Sequence, residues 1–258
     1  MKRFFKPCLF LIAAVLVAAS PDEELLVKVD SLASYTDSDF SAVYEIVQTR
    51  PGQSETSTVA GVYRRDAKEQ YVIIILEPSI SKGQGYLKEG NTLWFYDPES
   101  KSFNSTSSRE RFQNSNASNS DFTRSTFSLD YTISSGSNEV YGPNKCRVLE
   151  LRAKASAKSV SYPKVKIWVS ADGLVRKTED YSLSGQHLRT TEIPAYYRIG
   201  PRFVPKAIRI TDKLRGQTVA GKFVSEQTII SVREPRFDKL RDTIFTKAYL
   251  SSISRRHT

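Results

Sequence analysis

From Phe40 to Val232 the chain is one strand-like run after another, each closed by a turn signal, and this succession limits it to a mainly β scaffold. Phe40–Thr49 puts Phe40, Ala42, Tyr44 and Ile46 on one face, the period of two of a half-buried strand. Pro51-Gly52 ends that run and Thr56–Arg65 returns beside it. Gln70–Glu77 contains Val72-Ile73-Ile74-Ile75-Leu76, apolar on both faces, which predicts a central strand covered from two sides. Residues 85–88 and 93–96 form a hairpin about Glu89-Gly90-Asn91, because a Gly-Asn pair reverses a strand at little steric cost. Asp97-Pro98 closes it, since proline has no ladder donor and restricts the residue before it. Further strands are predicted over 101–106, 145–153, 165–170, 174–182, 187–197, 202–212 and 221–232, with Ala171-Asp172-Gly173 as the strongest turn. The pattern is an antiparallel meander of about ten strands.

Helical signals sit at the two ends. Residues 22–32, capped by Ser20 or Asp22, bring Leu25, Val29 and Leu32 to one face. Residues 238–251 suit a C-terminal helix or a short tail element. Ahead of all this lies an export signal. Lys2, Arg3 and Lys6 precede an apolar core over 9–17, and Val17-Ala18-Ala19 supplies small residues for cleavage. The apolar run is short for a membrane span, which takes about 20 residues. The expected organisation is a signal peptide over 1–19 and a single domain over 20–258 in the periplasm.

Export changes the meaning of the charge. The chain carries +10, and loss of Lys2, Arg3 and Lys6 leaves +7. Nucleic acid is then excluded as a partner, whereas an anionic membrane surface gains weight. Catalytic and metal chemistry lack the necessary residues. Cys146 is the one cysteine left after processing, so there is neither an internal disulfide nor a thiolate cluster. His187 and His257 lie far apart in sequence, no nucleophile elbow accompanies His187, and no phosphate-binding glycine loop or paired metal-ligand spacing occurs. The expectation is a protein without enzymatic activity, cofactor or metal.

The segment from Gly83 to Phe127 holds the functional signal. A hairpin edge with three aromatic rings (Trp94, Phe95, Tyr96) leads into an Asn/Ser-rich tract over 104–120, expected to be a mobile connector. A short apolar-bearing piece from Asp121-Phe122 to Phe127 follows as a lid. Strands with large rings on both faces leave two readings open. Either helix and loop cover the second face as ordinary core, or a curved sheet presents a concave face to an apolar guest.

Four motifs carry a family resemblance. They are Gly83-x-Gly85-Tyr86-Leu87-Lys88, Leu93-Trp94-Phe95-Tyr96-x-Pro98, Asn119-Ser120-Asp121-Phe122-Thr123 and Ile244-Phe245-Thr246-Lys247-Ala248-Tyr249-Leu250. In this order the chain resembles the outer-membrane lipoprotein-sorting proteins, the LolA-like group. The resemblance implies an incomplete β-barrel closed by helical lid elements. It also implies an apolar cavity that shields acyl chains on the way through the periplasm, and no enzymatic activity. One departure stands out. Relatives commonly approach the Asp-Phe pair through glycine and follow it with acidic residues, whereas here Arg124-Ser125-Thr126 follows an Asn/Ser-rich tract. A longer, looser and less acidic lid is expected.

A carrier of this kind needs apolar walls and a movable cover, because an acyl chain of roughly fifteen methylenes gains on the order of 12 kcal/mol on leaving water, at ~0.8 each. The candidate groove residues are Tyr44, Ile46, Ile73, Ile75, Leu87, Trp94, Tyr96 and Ile167, and the candidate cover is Phe122, Phe127 and Leu129. Expected partners are lipoprotein acyl chains or phospholipid, an inner-membrane release complex and an outer-membrane acceptor, with the protein itself a monomer. The alternative is a non-catalytic interaction protein at the outer membrane that uses its basic surface and the Asn/Ser tract.

Overall fold

The computed structural model describes residues 19–90, 92–157 and 160–257. Apart from Ala19, the expected export signal lies outside the described residues, as does Asn91 of the first hairpin turn. The chain opens with helix α1 (Pro21–Ala33). Strands β1 (Phe40–Thr49), β2 (Thr56–Arg65) and β3 (Gln70–Glu77) follow with the bounds predicted from sequence. The aromatic hairpin is β4 (Gly85–Glu89) and β5 (Thr92–Asp97), and β6 (Ser102–Thr106) ends the first half. A long non-strand segment leads to the single-turn helix α2 (Phe127–Asp130).

The second half runs through β7 (Tyr131–Tyr141), β8 (Asn144–Ala153), β9 (Lys164–Ser170), β10 (Val175–Tyr181) and β11 (His187–Glu192). It continues with β12 (Tyr196–Ile199), β13 (Arg202–Pro205), β14 (Ala207–Val219) and β15 (Lys222–Arg236). Helix α3 (Lys247–His257) is the last element.

Thirteen strands form one antiparallel sheet in the order β6-β5-β4-β3-β2-β1-β15-β14-β11-β10-β9-β8-β7. β15 joins the halves by pairing with β1 on one side and β14 on the other. The curved sheet does not close, since β6 and β7 terminate the order instead of meeting. The architecture is therefore a mainly β, incomplete barrel.

Each half of the sheet is covered differently. Alternation sends Tyr44, Ile46, Ala60, Val62, Ile73, Ile75, Tyr86 and Leu93 to the inner face, where they form one buried cluster. Val72, Ile74 and Leu87 face outward and pack against Phe245 and Leu250 of the C-terminal segment. This is why β3 is apolar on both faces. Gly85 permits the approach of α3: a Cβ there would lie 2.5 Å from a Leu250 methyl and 2.8 Å from the Ile73 carbonyl oxygen. Arg65 fastens the same segment, donating to both Asp39 carboxylate oxygens at 2.9 Å and to the Leu240 carbonyl at 2.7 Å, while its guanidinium covers the Phe245 ring.

At the other end of the sheet the cover is α1, on the inner face. Ser20 caps it by accepting from the Glu23 N–H, and Glu23 bonds back to the Ser20 N–H at 2.7 Å. Leu26 and Val29 are buried against Leu149, Leu151, Val165, Ile167 and Val169. Of the predicted stripe Val29 is buried and Leu25 packs half-buried against the same cluster, Leu32 stays half-buried, and Leu26 is an additional contact with the sheet. Arg147 of β8 grips Asp22 with two bonds of 2.8 and 2.7 Å at the helix N-terminus, where a carboxylate is also favoured by the helix dipole.

Several expectations are corrected. The meander has fifteen strands among the described residues instead of about ten. The run 187–197 splits into β11 and β12 because Pro194 has no N–H to give a ladder. β7 is an additional strand with no counterpart in the sequence pattern, and its largely exposed, Ser/Asn-rich composition explains why: as an edge strand it buries little and shows no apolar alternation. The tract over 104–120 is no mobile connector. Its first residues belong to β6 and stay exposed or half-buried, while the part from Phe112 to Asn119 folds inward and buries Phe112 and residues 115–119.

Candidate functional site

The inward-folded tract is a plug held by polar contacts within itself and to β1 and β15. Phe112 and Ala117 are fully buried, and Ser115, Asn116, Ser118 and Asn119 are buried with them. The backbone N–H of Asn116 donates to Thr228 Oγ1 at 2.8 Å and to Gln48 Oε1 at 3.1 Å, and Asn119 Nδ2 donates to the Ser107 carbonyl at 2.8 Å. These pairings offset the burial of the backbone N–H of Asn116 and of Asn119 Nδ2, whereas Asn116 Nδ2 and Asn119 Oδ1 are buried with no hydrogen-bond partner among the described residues. The Phe112 and Phe122 rings pack tilted at 48° with 4.5 Å between centroids, Phe112 reaches Tyr86 at 4.9 Å, and Phe122 reaches Tyr44 at 6.0 Å. Two rings of the plug therefore occupy the groove over β1 to β5.

Beside the plug the interior is hollow. A cavity of about 1180 Å³ lies between the inner face of the sheet, α1, α2 and the β12–β13 hairpin. Its apolar lining includes Val29 and Leu32 of α1, Phe122 and Phe127 of the cover, and Val165, Val175, Ile208 and Ile210 of the sheet. Tyr35, Tyr44, Tyr71, Tyr131, Tyr162 and Tyr196 add rings with polar tips. Such a lining is mixed, with an apolar part beside many polar and charged side chains, and suits an amphiphile.

The polar part of the lining is organised around Arg189 on β11. It donates to both Asp121 oxygens at 2.7 and 2.8 Å and to Asp180 Oδ2 at 2.6 Å, and its guanidinium lies over the Tyr162 ring. Asp180 and Arg189 are cross-strand partners, so the sheet register brings them together. Asp121 arrives from the plug, where it also caps a short turn by accepting from the Ser118 N–H at 2.7 Å. One cation thus stands between two largely buried carboxylates. Burial pushes the Asp121 carboxyl up, but the Arg189 charge and the bonds from Arg189 and Ser118 outweigh it and hold Asp121 below the ordinary carboxylate value. At Asp180 burial dominates and the Asp121 charge adds to it, so this carboxyl stays above the ordinary value despite Arg189. Burial also opposes the Arg189 charge, yet its two carboxylates keep the guanidinium firmly protonated. Tyr162 is pushed up to about 12, mainly by burial.

Three further groups of contacts hold the cover, the segment from Ser107 to Asp130. Arg124 pairs with Glu69 at the turn before β3. Asp30 of α1 accepts from the Phe127 N–H at 2.9 Å, the Ser128 N–H at 2.7 Å and the Ser128 hydroxyl at 2.6 Å, capping α2 from a neighbouring helix. At the opposite end Arg111 bonds Asp212 at 2.6 Å and Asn116 Oδ1 at 3.0 Å. The cover is therefore tied to the sheet and to α1 by discrete polar contacts, each on a different element.

The residues nominated from sequence fall into four places. Tyr44, Phe122, Phe127 and Leu129 border the cavity. Ile46, Ile73 and Ile75 share the inner face but lie buried in the cluster that holds Phe112, Ala117 and Phe122. Ile167 is buried beneath α1. Leu87, Trp94 and Tyr96 are on the outer face, packed with Phe245 and Leu250. The hairpin register explains that last outcome. Leu87 and Trp94 are direct partners and so share one face, while Tyr86 and Phe95 are the partners that face inward. Sequence reasoning missed the charged lining of Arg64, Asp66, Asp180 and Arg189. For Arg64 a signal existed, because it has the same strand parity as Ala60 and Val62. Arg64 bonds Asp66 at 2.6 and 3.1 Å, and Asp66 accepts in turn from the Tyr35 N–H at 2.8 Å.

This architecture recurs in solved structures. A LolA superfamily protein from Nitrosomonas europaea is 27% identical with a TM-score of 0.74, over 90% of this chain and 100% of that one. A putative outer membrane lipoprotein-sorting protein domain from Vibrio parahaemolyticus matches with a TM-score of 0.74 at 19% identity, over 89% of this chain and 97% of that one. A DUF1329 family protein from Desulfovibrio piger also reaches 0.74 at 19% identity, covering 88% and 97%. No curated protein matches the chain in sequence. The open sheet around a covered interior is that of a LolA-like protein, as the four sequence motifs imply. Residues 67–252 match the model of a family described as "Uncharacterized protein", and the chain belongs to that family.

Proposed function

We propose that the protein is a non-enzymatic periplasmic carrier that shelters the acyl chains of lipoproteins or lipids in the interior cavity. The observation that carries this reading is the volume of about 1180 Å³ beneath a cover held by separable polar contacts. It exceeds the ~300–1,000 Å³ of ordinary small-molecule pockets. Fifteen methylenes at ~0.8 kcal/mol each supply a driving force on the order of 12 kcal/mol, enough to displace parts of the cover. The likeness to lipoprotein-sorting proteins supports the same reading. In it, residues 1–19 direct export and are removed, residues 20–258 act as one domain, and the plug keeps the groove over β1 to β5 dry whether cargo is present or not. Among the described residues no helix is long and apolar enough to cross a membrane.

Native mass spectrometry of the protein from a detergent-free periplasmic extract tests this. The expected result is a bound mass that extracts as phospholipid or acylated peptide. Thr178→Trp, which places a ring in the cavity from β10, is expected to lose that mass without a loss of thermal stability. A clean apo mass together with no uptake of a fluorescent fatty acid would overturn the carrier reading.

A further inference from the structure

Beyond residue 212 the β14–β15 ribbon leaves the rest of the sheet. β11 pairs with β14 only as far as Asp212, and β1 pairs with β15 only as far as Gln227. The ribbon past these points pairs with itself alone, from Gly216↔Ser225 to Val219↔Lys222. A bulge sets it off: between Thr211 and Gly216 the register shifts, and Asp212 Oδ1 accepts from the N–H groups of Leu214 and Arg215, each at 2.9 Å. Gly216 allows the strands to close again, since a Cβ there would lie 2.1 Å from the Val224 carbonyl oxygen. Ala220 and Gly221, both with positive φ, make the tight turn.

The composition of this tip does not match its exposure to water. Leu214, Val219, Phe223 and Val224 are 52%, 49%, 54% and 43% exposed. Scattered single apolar residues need no explanation, but four at the end of one ribbon do. They also occupy both faces. Val219 and Val224 share one face with Gln217 and Lys222, and Phe223 is on the other with Thr218. A flat protein partner would cover one face and leave the other wet, whereas a tip that enters an interfacial layer covers both. Charge points the same way. Lys213, Arg215 and Lys222 are exposed, and none forms an ion pair among the described residues. The nearby carboxylates are occupied: Asp212 bonds Arg111, and Glu226 faces Arg50 and Arg111.

We propose that the tip of the β14–β15 ribbon docks this protein on an anionic membrane surface. The apolar side chains enter the boundary between headgroups and acyl chains, and Lys213, Arg215 and Lys222 meet lipid phosphates. Each cation near such a surface is expected to strengthen partitioning roughly fivefold, an effect that fades as salt shortens the screening length.

Co-sedimentation of the protein from a periplasmic extract with vesicles of phosphatidylcholine alone, or mixed with phosphatidylglycerol, tests the proposal. Binding to the mixed vesicles is expected, with little to the neutral ones and a steep fall with salt. The Lys213→Gln/Arg215→Gln/Lys222→Gln variant is expected to bind the mixed vesicles roughly 100-fold more weakly while still taking up a fluorescent fatty acid as the wild type does. That second readout separates docking from cargo binding and shows that the variant is folded. Phe223→Trp is expected to give an emission that moves to the blue on mixed vesicles. Wild-type protein that ignores the mixed vesicles, a triple variant that binds as well as wild type, or a Phe223→Trp emission unmoved by lipid would overturn it. So would a concentration-dependent dimer that Phe223→Ser abolishes, because the tip would then serve a second copy of the chain.

Discussion

The two ends of the inner face have the same strand chemistry and opposite contents. Over β1 to β5 the groove is filled by Phe112, Ala117 and Phe122, and its wall residues Ile46, Ile73 and Ile75 are sealed. Toward the other end α1 packs on β8 and β9, and beside that contact, over β10, β11 and β14, a cavity remains. The filled end is closed by a segment rich in Ser and Asn, the open end by two helices and a hairpin. What a groove holds is decided by the segment that returns over it, and a polar tract can be that segment when groups such as the Asn116 N–H and Asn119 Nδ2 find acceptors inside. Arg189 stands at the border, binding the plug through Asp121 and the sheet through Asp180.

The largest effect is expected where the border itself is cut. Arg189→Ala leaves Asp121 and Asp180 facing each other without their cation, and removing one partner of a buried ion pair costs about 3–5 kcal/mol. Urea unfolding should show that loss, and Arg189→Lys should recover only part of it because a point charge does not reproduce the fork. A loss under ~1 kcal/mol would mean that plug and cavity are independent units.

The two ends are also expected to differ in how much a deleted side chain costs. Phe112→Ala at the filled end is expected to cost about 3–5 kcal/mol, since it opens a void in packed surroundings. Val160→Ala at the open end is expected to cost under ~1.5 kcal/mol, because half-buried Val160 already borders open volume. Equal costs by thermal or urea denaturation would erase the distinction between the ends.

The smallest effect is a pH dependence. Asp121 is held below its unfolded value of 3.8, so its stabilisation is complete above that pH and is lost as pH falls through its depressed folded value. Asp180 has the opposite sign. Its folded value is raised, so its ionisation starts to cost stability above pH 3.8, and the full cost is present once pH exceeds the raised value. Asp180→Asn removes that cost. The melting temperature of the variant relative to wild type is therefore expected to be highest at neutral pH and to decline as pH is lowered toward 3.8. A flat difference across that range would mean that Asp180 does not titrate against Asp121.

Much of this arrangement was legible in the residues. The bounds of β1, β2 and β3 follow directly from alternation between Pro51-Gly52 and the turns that flank them, because half-buried strands with short connections leave little freedom. For the α1 cap the sequence left Ser20 and Asp22 open, and the structure has Ser20 with Glu23 in a capping box. The resemblance carried by the four motifs named the fold, which the LolA superfamily structure matches over 90% of the chain. The site was less legible. Of the nominated rings, Trp94 and Tyr96 lie outside under α3, and only register across the hairpin decides between that pair and Tyr86 with Phe95.

Taken alone, the sequence determined what is local: strand periods, turns, the helix cap and the apolar content of each face. Those depend on neighbours within a few residues, where backbone geometry sets the rules. The tertiary structure decided which face is inside, that Asn116 and Asn119 are buried rather than solvated, and that Asp121, Asp180 and Arg189 meet. Those outcomes depend on groups distant along the chain completing one another's hydrogen bonds and charges, and no period in the sequence records such partners.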